Sequence, residues 1–241
     1  MPDIAFGFGT PFAEQLAFYR QKLNLPSERW DDIMRGAHDR AFIVAGAMKA
    51  DLLNDLNEAV GKAIEKGTGF AQFQKDFKAA VKDNGWEGWT GQGSKAGEAW
   101  RARVIYQTNM ATSYAAGRYQ QLTDPAFLAL RPYWRYKHAD GVMNPRPLHA
   151  AWNNLTLPHD HPFWQTHFAP NGWGCRCRVV ALSNDNLTKG GIKVESSEGK
   201  LGSAMRVVSE KTGEMREVAT YRATDPVTRR QITVAPDVGW S

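Results

Sequence analysis

Five of the six histidines of this chain fall between positions 138 and 167, and both cysteines follow at 175 and 177. Imidazole and thiolate are the side chains zinc prefers, so this stretch is the first place to look for chemistry. His149, one of His159 or His161, Cys175 and Cys177 would supply two nitrogens and two sulfurs, with His161 taken as the second imidazole. A structural zinc held this way would clip a long loop and offset the entropy of ordering it. The Cys-X-Cys bite is tighter than the spacing of most zinc motifs.

Other chemistries fit the same residues. A disulfide across one intervening residue is strained. A Cys/His nucleophile would draw on Arg176 and Arg178 to lower a thiol pKa. Metal-assisted hydrolysis would add Asp140 or Asp160 and an open coordination position, which makes a small zinc-dependent hydrolase or nuclease the competing functional class. In a purely structural role, the histidines with Asn153, Asn154 and Asn171 would hydrogen-bond loop backbone, and the cysteines would pack as small apolar groups. Asp140, Arg146 and His149 form a further set. An Asp140–Arg146 pair would pin the start of the loop to its first strand, and the same three could serve as a catalytic group. Pinning is the simpler reading, because nothing in the sequence outlines a substrate pocket.

The elements that carry these residues are of two kinds. From Ala41, Phe42, Ala45, Met48, Leu52, Leu56, Ala59, Ala63 and Ile64 recur at helical steps and stop at Gly67-Thr68-Gly69. Phe70, Phe73, Phe77 and Ala80 or Val81 predict a second amphipathic helix closing near Asn84-Gly85. An earlier helix is expected after Ser27 as N-cap, with Asp31 and Asp32 at its positive end. Residues 85–97 read as a Gly-rich connector, and Trp86 and Trp89 beside it are candidate exposed partner contacts or, equally, core residues. A third helix runs from about Ser94 to Leu122, with Trp100, Val104, Ile105, Thr108, Met110 or Ala111, and Ala115 as its buried stripe.

Past Pro132 the pattern changes. Tyr133–Lys137 and Arg178–Leu182 predict strands, and 140–170 reads as irregular loop rich in Pro, Asn and His. Strands are expected at Met205–Val208, Met215–Ala219 and Arg230–Val234, the first two joined by a turn through Lys211–Glu214. The fold class is therefore α+β: a helical N-terminal half, then a loop-rich module with short antiparallel strands. Four segments are expected: a helical region 1–84, the connector 85–97, a core module 98–189 and a β-rich tail 190–241.

The chain has 241 residues, 42% hydrophobic, with net charge +5, which argues against disorder throughout. No apolar run reaches the roughly 20 residues of a membrane helix, and Met1-Pro2-Asp3 does not begin a secretory signal. A soluble protein kept inside the cell is the expectation. Residues 133–189 hold 6 Lys and Arg against 3 Asp and Glu, with no basic tail or one-faced stripe. A solvated surface is the simpler reading than a dedicated nucleic-acid face.

Taken in order, Trp134-Arg135-Tyr136, Asp140, Arg146-Pro147-Leu148-His149, Pro162-Phe163-Trp164 and Pro170-Asn171-Gly172-Trp173-Gly174-Cys175-Arg176-Cys177-Arg178-Val179 resemble the phage Mu F-like head-morphogenesis (minor head) proteins. The stretch Arg103–Asn109 resembles the family's preceding helix. The resemblance covers roughly residues 40 to 185. It implies a minor structural protein of a tailed-phage or prophage head, assembled in the bacterial host cytoplasm and sitting in the capsid interior near the portal. Its implied partners are the portal protein and the major capsid or scaffold proteins, with weak contact to packaged DNA. It implies no enzymatic activity. The motif residues Asp140, Arg146, His149, Trp164, Asn171, Gly172 and Arg176 would then be scaffold.

Overall fold

The computed structural model describes residues 11–29, 40–141, 146–209 and 211–240. The helix expected to follow Ser27 falls mostly on 30–39 and so lies outside the described residues. The chain divides into two compact units, Met1–Tyr119 and Gln120–Ser241.

The first unit is helical. Helix α1 (Ala13–Arg20) is followed by β1 (Leu23–Asn24), which pairs in parallel with β2 (Ala41–Phe42). Helix α2 (Ala50–Lys66) buries Leu52, Leu53, Leu56, Val60 and Ile64, and ends at Gly67. Helix α3 (Phe70–Asp83) answers with Phe73, Phe77 and Ala80. These faces, with Tyr19 and Phe42, form one core.

Two expectations are corrected here. The helical pattern beginning at Ala41 becomes a helix only at Ala50. Gly46 adopts φ +82°, a left-handed conformation that helices cannot continue, and Lys49 is extended. Phe42, Val44 and Ala47 are nevertheless buried, so they enter the core from extended and turning chain. The second correction concerns Trp86 and Trp89, which are not exposed: each is only 7% accessible. Their rings stack at 5.5 Å, Phe77 abuts both, and the Trp86 indole N–H donates to the Gly46 carbonyl at 3.1 Å. The connector folds back because two indoles gain far more from burial than a Gly-rich segment loses in freedom.

Helix α4 (Lys95–Leu122) has nearly the expected bounds but shares only part of the expected buried face, Ile105 and Met110 among it. Trp100 is half exposed, while Ala102, Ile105, Asn109, Ser113 and Gly117 are buried. The polar members are satisfied. The Asn109 amide donates to the Ile105 carbonyl at 2.9 Å, and the Ser113 hydroxyl donates to the Asn109 carbonyl at 2.6 Å. Gln15 of α1 donates to the Ser113 oxygen at 3.0 Å. A Cβ on Gly117 would meet the Gln15 backbone. Small residues let helix α1 approach closely, and hydropathy patterns do not register small residues.

The second unit opens with α5 (Pro125–Leu130), whose N-cap Asp124 accepts from the Phe127 amide at 3.0 Å. Strand β3 (Tyr133–Lys137) turns Trp134 and Tyr136 inward. It lies between β4 (Thr156–Pro158) and β5 (Arg178–Leu182), antiparallel to both. Short helices α6 (Pro147–Ala150) and α7 (Phe163–His167) interrupt the expected loop, and α8 (Asn184–Gly190) follows β5 with a Ser183/Asn186 capping box. A second antiparallel sheet is β6 (Leu201–Val207), β7 (Met215–Thr224) and β8 (Gln231–Val234), in that order. Tyr221, Ala223 and Val234 share a core with Trp134, Tyr136, Trp152 and Phe163. The molecule is thus α+β, helical first and strand-rich after. Among the described residues no helix is long and apolar enough to cross a membrane.

Candidate functional site

Strand pairing positions the loop cluster. The β3–β5 register sets Lys137 against Arg178, so Cys177 arrives beside the chain leaving β3. Its sulfur accepts hydrogen bonds from the Ala139 amide and the Tyr136 hydroxyl. Helix α6 is a single turn, its His149 amide bonded to the Arg146 carbonyl at 3.0 Å. That turn stacks the His149 ring on Trp152, 5.0 Å away and 19° from parallel. The loop 171–177 closes with the Cys175 amide on the Gly172 carbonyl at 3.1 Å.

His149, Cys175 and Cys177 meet as a result, with their ligand atoms all within 4.8 Å of one another. Cys175 Sγ lies 3.6 Å from His149 Nδ1. His149 and Cys175 are 2% and 3% exposed, and both thiols are free. The two cysteines share their protons unequally. The Cys177 thiol hydrogen-bonds the Cys175 sulfur, which, with help from His149 and the backbone amides of Asn171 and Cys177, holds the Cys175 thiol well below the ordinary range. Cys177, left as the donor and buried, is pushed up. The group can hold a thiophilic divalent ion, or one thiolate stabilised by neighbouring donors.

A second layer orders this group. The Asn171 side-chain amide donates to the Tyr136 hydroxyl at 3.1 Å and to the His167 carbonyl at 2.8 Å. Tyr136 in turn donates to Cys177, so a relay from Asn171 holds the sulfur in place. Burial pushes the Tyr136 pKa well up, which keeps the phenol a donor. Asn171 Oδ1 is buried with no hydrogen-bond partner among the described residues.

The other sequence-derived residues lie as follows. His161 does not join the group: its Nδ1 accepts from the Phe163 amide at 3.0 Å and its Nε2 contacts the Ser197 hydroxyl. His159 Nδ1 bonds the Pro132 carbonyl at 3.2 Å. Trp164 is buried and donates to the Pro158 carbonyl at 2.8 Å. Arg176 is exposed.

The expected Asp140–Arg146 pair is not formed. Asp140 bonds His138 Nδ1 at 2.6 Å, and His138 Nε2 meets the Arg146 carbonyl at 3.0 Å. The Arg146 guanidinium instead spans the Asp237 carboxylate and the Trp173 carbonyl, two acceptors that suit its forked donors. The Asp237 amide also donates to the Asn171 carbonyl at 2.9 Å, and Trp240 packs edge-on to Trp173 at 5.3 Å. The C-terminal segment is thereby latched to the motif loop. Tyr136, Trp152 and Asp237 were missed as site residues. Tyr136 reads only as part of a strand and of the resemblance motif, Trp152 carries no ligating or titratable group to single it out, and no local signal links Asp237 to a loop some 65 residues earlier in sequence.

Gly172 sits under this latch. A Cβ there would strike the Asp237 carboxylate and lie 3.1 Å from the Arg146 guanidinium carbon. Gly172→Ala is therefore expected to cost about 1–3 kcal/mol through forced displacement of the pair. The measurement is a urea titration, with Arg146→Ala as comparison. That ion pair is about one-third exposed on each side, and its loss should cost less. A neutral Gly172→Ala would show that the latch yields without strain.

Most of the polar groups in the cluster hold loop backbone or one another. The profile of the family described as Phage Mu protein F like protein matches residues 54–180. This chain belongs to that family. Over an alignment of 248 positions it is 34% identical to an Escherichia phage Mu protein named as a capsid assembly protein F, covering 99% of this chain and 55% of that protein. It is 37% identical over 191 residues to the Mu-like prophage FluMu F protein of Haemophilus influenzae, covering 77% of this chain and 45% of that one. The chain thus spans about half the length of these relatives. No solved structure matches it significantly.

Proposed function

We propose that this chain is a minor structural protein of a tailed-phage or prophage head, acting inside the capsid near the portal in head morphogenesis or genome delivery. The observation that carries the reading is the similarity along 99% of the chain to a phage Mu protein named for capsid assembly. The geometry supports a scaffold role. Asn171, Arg146, His138 and His161 each hold backbone or another side chain in place. Portal, major capsid and scaffold proteins are the partners this role requires. With net charge +5, contact with packaged DNA would be weak and would fall steeply with salt.

The test is deletion of the gene in the phage or prophage that encodes it, with complementation in trans. The expected result is a loss of infectious particles and an accumulation of aberrant or empty heads by electron microscopy. Mass spectrometry should find the protein in purified heads, protected from added protease until the heads are opened, and cross-linked to the portal. Unchanged infectivity with no copy of the protein in purified heads would overturn the reading.

A further inference from the structure

We infer that His149, Cys175 and Cys177 hold a zinc ion that clips helix α6 to the loop leading into β5. Three independent features of the group point there.

The first is spacing. A tetrahedral ion with Zn–S of about 2.3 Å and Zn–N of about 2.0–2.1 Å separates its sulfur and nitrogen ligands by about 3.6 Å. Cys175 Sγ and His149 Nδ1 stand 3.6 Å apart. Among the described residues these three side chains form a group of metal-ligating type, with their ligand atoms mutually within 4.8 Å. The second is donor chemistry. Two thiolates and one imidazole select zinc over magnesium or calcium, which take oxygen ligands.

The third is the surrounding layer. Cys175 Sγ faces the backbone amides of Asn171 and Cys177, and Cys177 Sγ faces the Ala139 amide and the Tyr136 hydroxyl. Donors converging on both sulfurs are what two thiolates on one cation require. The Trp152 ring fixes the plane of His149.

The ion would have work to do. His149 and Cys175 are 26 residues apart, and residues 168–177 carry no helix or strand of their own. A cross-link between them limits the entropy of a long irregular connection. With His149 and Cys175 nearly inaccessible, the ion is a clip inside the fold. This inference does not depend on the head-protein reading.

The test is metal content of the full chain purified without added metal, beside Cys175→Ser/Cys177→Ser, His149→Gln and His161→Gln. About one zinc per chain is expected in the parent and in His161→Gln, and less than about a tenth of that in the other two. Stripping the parent with a chelator should lower its melting temperature by roughly 10 °C. Should the cysteine variant fail to fold, cobalt titration of the stripped parent decides: a sulfur-to-cobalt charge-transfer band with intense tetrahedral d–d bands is expected. Folded parent with neither zinc nor that spectrum overturns the proposal. Loss of metal in His161→Gln would overturn the ligand assignment.

Discussion

Trp152→Ala is expected to destabilise the second unit by about 3–5 kcal/mol, a large part of the stability of an ordinary domain. Trp152 is fully buried, and four aromatic or imidazole rings close around it. His149 stacks on one face at 5.0 Å, His167 meets it edge-on at 4.9 Å, and Tyr136 and Phe163 pack at 5.5 and 6.0 Å. These rings belong to β3, α6 and α7, so truncation opens a cavity that one neighbour's shift cannot fill. Trp152→Phe should recover most of the loss. It keeps a ring in place and removes an indole N–H that has no hydrogen-bond partner among the described residues. The measurement is urea unfolding of all three proteins followed by amide exchange in β3 and β5. Because Trp152 also orients His149, the alanine variant should bind zinc about tenfold more weakly or worse. A loss of under about 1 kcal/mol would contradict the packing described.

Trp86→Ala is the second large effect, again about 3–5 kcal/mol, in the first unit. Two readings of this residue predict opposite results. A surface contact would leave the melting temperature unchanged and weaken a partner complex. A core residue would lower protection of α2 and α3 amides before any partner is added. The structure supports the second outcome. Trp86 stacks on Trp89, abuts Phe77, donates to the Gly46 carbonyl and lies 6.0 Å from the Arg101 guanidinium, itself lowered in pKa by burial. Amide exchange resolved by segment is the measurement, since it assigns the loss to one unit. Unaltered protection of both helices would refute the core assignment.

Much of this fold was legible because the forces that build it act locally. Helices α2 and α3 follow from apolar residues at three- and four-residue steps and from glycines where they end. Strands β3 and β5 follow from short alternating or β-branched runs, and the β6–β7 hairpin from a turn rich in Lys, Thr and Gly. Strand β4 was not legible: three residues ending in Pro158 are too few to alternate, and they become a strand only because β3 offers an edge. The buried face of α4 was misread in part for a related reason. Ser113 and Gly117 are buried where Gln15 packs on them, a fact held in α1 and not in α4.

The loop cluster divides along the same line. The sequence places five of the six histidines and both cysteines within 40 residues of one another, and the order of the motifs there carried the family resemblance that the comparisons bear out. Composition could not choose among the histidines. The β3–β5 register and the α6 turn bring His149 to the cysteines, while His161 is drawn to Ser197 and the Phe163 amide. Nor could it pair Arg146, which lies six residues from Asp140 yet bonds Asp237, 91 residues away. Short-range preferences are written residue by residue and can be read there. Partners distant along the chain are decided only when sheets set their register and a core excludes water, because hydrogen bonds and ion pairs then go to whichever groups the packed backbone has brought within reach.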